Sequence, residues 1–201
     1  MLIGLGLGPG DPELLTLRAV RLLREADAVY VPGRLAKTLV SPYRDAELLD
    51  FPMTEDAARI RECMERNAEK IAPAASSGTA VLALIGDPNF FSTFTRLCQV
   101  MEERYPGIEC QTEPGISAIT AFASVAGVSF SEGFCVSDGT NPRYRVLLKV
   151  RRPREAASAL AREGFRKFVL VERMYLPDMH VYRDEDLPET CDYLSVLYAE
   201  R

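Results

Sequence analysis

Three times in this chain a short apolar run ends in a glycine and proline turn that opens into a helical pattern. Leu2 to Leu7 leads into Gly8-Pro9-Gly10-Asp11-Pro12, Thr79 to Ile85 into Gly86-Asp87-Pro88, and Ile108 to Thr112 into Pro114-Gly115. This recurrence constrains the fold more than any other feature. A short run with no polar face reads as a strand buried on both sides, as in a parallel sheet. Parallel neighbours need a crossover between them, and a helix after each strand supplies it. In such open sheets, ligands bind at the carboxyl ends of the strands, where these turns gather. Any one of the turns is explained by tight turning alone. Three at equivalent positions point to a small-molecule site, because glycine lets backbone approach a ligand closely.

The flanking residues set the expected elements. Asp11 predicts an N-cap and Pro12 the first position of a helix reaching Glu25, with Leu15, Ala19, Leu22 and Leu23 at helical spacing. Ala28 to Val31 and Glu47 to Phe51 predict further strands, and Thr54 to Ala75 a long charged helix capped by Thr54. Phe91 to Arg104 and Pro114 to Ala126 predict two more helices. After Gly127 the pattern changes, with strands expected at Phe134 to Ser137, Tyr144 to Val150, Lys167 to Glu172 and Tyr193 to Tyr198, and one helix at Pro153 to Glu163. The expected division is an N-terminal α/β domain over 1–115 and a shortened C-terminal α/β domain over 116–201.

Composition narrows the function. The net charge of −5 argues against a nucleic-acid partner, which calls for a basic footprint. Five scattered cysteines, odd in number and without a C-x-x-C pair, fit a reducing compartment better than a disulfide framework or zinc site. A single histidine, His180 in a polar stretch, excludes a histidine-built metal centre, so no protein-bound metal is expected. No apolar run approaches the ~18 residues of a membrane span, and the start lacks a signal-peptide pattern. A cytoplasmic protein without membrane contact is expected.

The first turn invites a dinucleotide reading and fails it. Gly4, Gly6, Gly8 and Gly10 alternate, so no register gives G-x-G-x-x-G, and Asp11 puts a carboxylate where a pyrophosphate would sit. No G-x-x-x-x-G-K-[ST] loop is present. A carboxylate at this turn suits a cationic or hydrogen-bond-donating ligand, and a plain helix cap as well.

The run Gly4-Leu5-Gly6-Leu7-Gly8-Pro9-Gly10-Asp11-Pro12-Glu13-Leu14-Leu15-Thr16-Leu17 resembles the opening of the tetrapyrrole (corrin/porphyrin) methylases. Ala26-Asp27-Ala28-Val29-Tyr30 is similar to the start of that family's second strand. Gly86-Asp87-Pro88 and Pro114-Gly115-Ile116-Ser117-Ala118 fall at its two later motifs, in order and at fitting spacing. Within the family, Gly86 to Phe94, with Ser92-Thr93 after an aromatic pair, is similar to the branch that methylates C20 of precorrin-2 or cobalt-factor II. Methylation of another corrin carbon, or non-catalytic tetrapyrrole binding, are the competing readings.

The resemblance implies a homodimer of two α/β domains with S-adenosylmethionine in the cleft between them. It assigns cofactor contacts to Pro9, Ile85, Gly86, Asp87, Phe90, Ser117, Ala118, Leu148 and Met174, with Asp87 contributing its carboxylate. Substrate contacts are expected from Gly8, Gly10, Asp11, Tyr30 and Arg34, with Asp11 the candidate catalytic group. One departure stands out. Between Ser137 and Tyr144 only a short loop remains where family members usually carry an extra helical stretch.

Overall fold

The strands at Leu2–Gly6 (β1), Ala28–Val31 (β2), Glu47–Leu48 (β3), Ala80–Leu84 (β4) and Cys110–Glu113 (β5) form one parallel sheet in the order β3-β2-β4-β1-β5. The computed structural model describes residues 1–201, grouped by contacts into Met1–Gly133 and Phe134–Arg201. The sequence reading put the division at 115/116; residues 116–133 group with the first unit.

Period-two alternation explains why β1 and β4 are wholly buried. Leu2, Ala80, Leu82 and Leu84 enter one core with residues of the helices Ala57–Ser77 (α3) and Phe94–Arg104 (α4). Ile3, Leu5, Val81 and Ala83 enter another with residues of Leu17–Glu25 (α1) and Arg34–Val40 (α2). Neither strand has a polar face because each face meets helices.

The Asp27 of the second-strand motif acts at the amino ends of the strands. Its Oδ2 accepts a 2.7 Å hydrogen bond from the Thr79 amide, joining the entrances of β2 and β4. That contact is structural and lies at the opposite end of the sheet from the turns.

Several boundaries differ from expectation. Asp11 caps only a 3-10 turn, Pro12–Leu14, accepting from the Glu13 amide at 2.9 Å. Thr16 then caps α1, accepting from the Ala19 amide at 3.0 Å. A capping residue needs extended backbone, so Thr16 cannot lie inside a helix begun at Pro12. Asp56 rather than Thr54 caps α3, holding the amides of Ala58 and Arg59. Arg34 to Val40, which carried no expected element, is helical because Ala36, Leu39 and Val40 face the core. Ser117 caps the last helix of this unit, Ala118–Ala126 (α5).

Residues 134–201 form an antiparallel sheet, order β6-β9-β7-β8, from Tyr144–Leu148 (β6), Lys167–Glu172 (β7), His180–Arg183 (β8) and Ser195–Glu200 (β9). The helix Pro153–Arg162 (α6) supplies Ala157 and Leu160 to a core shared with Phe168, Leu170, Leu197 and Ala199. The opposite face is apolar too: Tyr144, Val146, Leu148 and Val181 are exposed on it. Phe134 to Ser137 forms no strand, and residues 124–146 are all exposed. His180, expected in a loop, begins β8 against Glu172.

Candidate functional site

The three turns leave adjacent strands, β4, β1 and β5, so the sheet order brings them together. Gly8 and Gly86 exchange backbone hydrogen bonds, 3.3 Å from Gly8 N to Gly86 O and 2.7 Å from Gly86 N to Gly8 O. Gly86 has φ +78°, a conformation costly for residues with a Cβ. A Cβ there would meet nothing within 4 Å, so its outward side is open.

The third turn is pressed against the other two. A Cβ on Gly6 would lie 2.6 Å from Gly115 Cα and 2.7 Å from Gly86 O. A Cβ on Gly115 would strike the Gly86 carbonyl oxygen and lie 2.7 Å from the Gly6 carbonyl carbon. Glycine at 6 and 115 is what allows three backbones to meet.

Asp87 fastens this junction. It is 7% exposed. Its Oδ2 accepts from the Gly115 amide at 3.1 Å, and its Oδ1 from the Asn89 amide at 2.8 Å and the Asn89 side-chain amide at 3.2 Å. The carboxylate expected to touch a ligand is instead spent between two turns. A buried carboxylate is stable only with such donors. The sequence gives no sign of the Asn89 bond to Asp87, of the packing of Gly6 against Gly115, or of the bond from Gly115 to Asp87. The alternating glycines were legible, but their partners lie far along the chain.

The other expected residues divide clearly. Gly8, Pro9, Gly10 and Asp11 lie on the first turn, with Asp11 exposed and Gly10 at φ +126°. Ile85 and Phe90 expose apolar surface at the second turn, and the neighbouring Phe91 is exposed at φ +51°. Ser117 and Ala118 begin α5 after the third turn. Arg34 is exposed at the first position of α2.

Tyr30 corrects the expectation of a substrate contact. It is 6% exposed, packed in the core with Met64 and Leu82, and its hydroxyl donates to the Lys70 carbonyl at 3.2 Å. Burial, and then the Glu47 carboxylate, push that hydroxyl above its usual range. Tyr30→Phe should therefore cost about 1 kcal/mol in denaturant unfolding and leave ligand affinity unchanged; a weakened affinity would return Tyr30 to the site.

In residues 134–201, Leu148 pairs with Val196 and Glu172 with Ser195, so Leu148 and Met174, just beyond β7, lie toward one end of the antiparallel sheet. Leu148 is exposed on its open face and Met174 is also exposed. Lys149 and Arg173, beside them, both have positive φ.

No group of three or more His, Cys, Asp or Glu side chains is gathered to hold a metal ion. No helix is long and apolar enough to cross a membrane.

A family model described as Tetrapyrrole (Corrin/Porphyrin) Methylases matches residues 1–192. The chain is 33% identical to a probable cobalt-precorrin-2 C(20)-methyltransferase of Methanocaldococcus jannaschii, over 98% of this chain and 95% of that one. It is 30% identical to a precorrin-2 C(20)-methyltransferase of Sinorhizobium sp, over 66% of this chain and 60% of that one. Among solved structures, the methyltransferase CobJ aligns over 100% of this chain and 93% of its own, with TM-score 0.52 and 20% identity. A cobalt precorrin-4 methyltransferase covers 99% and 94%, with TM-score 0.52 and 17% identity. At such identities the two structures speak for the fold alone.

Proposed function

The chain belongs to the tetrapyrrole (corrin/porphyrin) methylases, and we propose that it transfers a methyl group from S-adenosylmethionine to C20 of precorrin-2 or cobalt-factor II in cobalamin biosynthesis. The observation that carries this reading is likeness to a probable cobalt-precorrin-2 C(20)-methyltransferase through 98% of the chain.

The residues at the turns fit the methyl donor. Gly10 and Gly86 have open space where a side chain would stand, which leaves backbone groups approachable. Exposed Ile85 and Phe90 add apolar surface beside them. Bare backbone next to apolar side chains suits a ligand with both a zwitterionic amino acid and a flat adenine. When bound, S-adenosylmethionine supplies a methyl group already activated on a sulfonium. The protein's task is then to hold donor and carbon acceptor in near-attack geometry.

Asp11 is the acidic group of the first turn. Its Oδ1 accepts from the Glu13 amide at 2.9 Å, and the residue is exposed. We assign it the role of holding a pyrrole N–H or receiving the ring proton. Asp11→Ala should lower turnover at least about tenfold and leave S-adenosylhomocysteine affinity within about twofold. Unchanged turnover removes Asp11 from catalysis. Arg34 is the proposed partner of a substrate carboxylate, to which its guanidinium can bind through two hydrogen bonds.

Calorimetry with S-adenosylmethionine and S-adenosylhomocysteine tests the class, and absence of heat with both rejects it. Incubation with methyl-labelled donor and cobalt-factor II, followed by location of the label, tests the carbon.

A homodimer is part of the proposal. α5 buries none of its residues although it is apolar, with Phe122 and Val125 exposed. The open face of the antiparallel sheet is apolar as well. Surface of this kind is characteristic of association. Analytical ultracentrifugation should give twice the chain mass at micromolar concentration, and a monomer there would reject the dimer.

A further inference from the structure

The five cysteines fall into three situations. Cys63 donates its thiol to the Asp50 carbonyl at 2.8 Å, and Cys191 to the Val150 carbonyl at 3.0 Å. Cys135 is exposed. Cys98, on α4, and Cys110, at the start of β5, are neighbouring half-buried thiols. They are 12 positions apart, and only the return from helix to strand brings them together. Both pack against the same core and line the same open groove of about 530 Å³, with Pro88, Asn89, Phe94 and Thr112. The groove gives a small oxidant access to both sulfurs.

We propose that Cys98 and Cys110 form a reversible oxidation site, a dithiol that hydrogen peroxide converts to a disulfide. Two features favour Cys110 as the attacking sulfur. The neighbouring Cys98 thiol, outweighing burial and the Glu102 carboxylate, holds it below the usual thiol range. The N-terminal ammonium acts in the same direction. Cys98 is raised by its Cys110 neighbour, by burial and by the Glu102 carboxylate, so it keeps its proton until a partner forms.

The Cys110 thiolate attacks peroxide: an S–O bond forms, the O–O bond breaks, and the departing hydroxide takes a proton to become water. The Cys98 sulfur then attacks the Cys110 sulfenic acid. The S–S bond forms, the S–O bond breaks, and the leaving hydroxide takes the Cys98 proton. Two thiols and one peroxide give one disulfide and two waters, with both sulfurs oxidised and the peroxide reduced. The bond would clip α4 to β5. α4 follows the Gly86 turn and β5 leads into the Gly115 turn, so the clip would tie together the two elements between those turns.

The test uses the full chain carrying Cys135→Ser, which removes the exposed thiol. The protein is treated with hydrogen peroxide, alkylated, digested and weighed by mass spectrometry. The expected result is a peptide pair joined through Cys98 and Cys110, the loss of those two alkylatable thiols, and their return with dithiothreitol. With Cys98→Ser added, Cys110 should stop as a sulfenic acid that dimedone traps. The proposal is overturned if both thiols stay alkylatable at a peroxide dose that oxidises Cys135 in the unsubstituted chain. Oxidation of either to sulfinic acid without a cross-link overturns it equally.

Discussion

Replacing Gly115 by alanine should destabilise the protein by about 3 kcal/mol or more, lowering the melting temperature by roughly 10 °C, and should abolish cofactor binding. The added methyl would strike the Gly86 carbonyl oxygen and lie 2.7 Å from the Gly6 carbonyl carbon. These obstacles are backbone of two sheet strands and their turn, so no rotamer change can relieve the clash. The second and third turns must separate, and those are the turns proposed to hold the methyl donor. Gly107→Ala is the matched control, because a Cβ there meets nothing within 4 Å. It should change stability little. Thermal melts with S-adenosylhomocysteine titrations check both, and a Gly115→Ala protein with normal stability would show that the three backbones do not meet as described.

Asp87→Ala should have the second largest effect, again about 3 kcal/mol, through a different mechanism. Hydrogen bonds to a charged group contribute about 1.5–3 kcal/mol each, and a donor left unsatisfied in the interior costs more than the bond it lost. Asp87 holds the amides of Gly115 and Asn89 from a position only 7% exposed. Alanine frees these two amides and the Asn89 side-chain amide, whereas asparagine keeps one acceptor. The expected stability order is therefore wild type, then Asp87→Asn, then Asp87→Ala. Cofactor affinity should fall in the same order, because the third turn loses its anchor. If Asp87 instead met the cofactor directly and held nothing else, affinity would fall while unfolding free energy stayed constant.

These two substitutions mark the limit of what was legible along the chain. Continuous apolar runs announced β1 and β4, because a strand buried on both faces has no polar position to break the run. The helix at Pro153 followed from side chains within a few residues of one another, whereas α5, expected from Pro114, begins at Ala118 behind the Ser117 cap. The α1 start was misplaced because two capping residues, Asp11 and Thr16, compete within six positions, and only backbone dihedrals decide between them. β8 escaped notice because its apolar residues are few. It forms through pairing with β7, a tertiary event.

The sequence alone determined the parallel α/β plan of the first unit, the three glycine turns at strand ends and the resemblance to tetrapyrrole methylases. All of these rest on residue type and near-neighbour spacing. Tertiary structure decided what each candidate residue does. Tyr30 became core because its strand face meets α3, and its hydroxyl found the Lys70 carbonyl 40 residues away. Asp87 became a fastening because the sheet order sets β5 beside β1 and so brings Gly115 within its reach, 28 residues on. Chain spacing fixes neither partnership; each depends on which strands lie side by side.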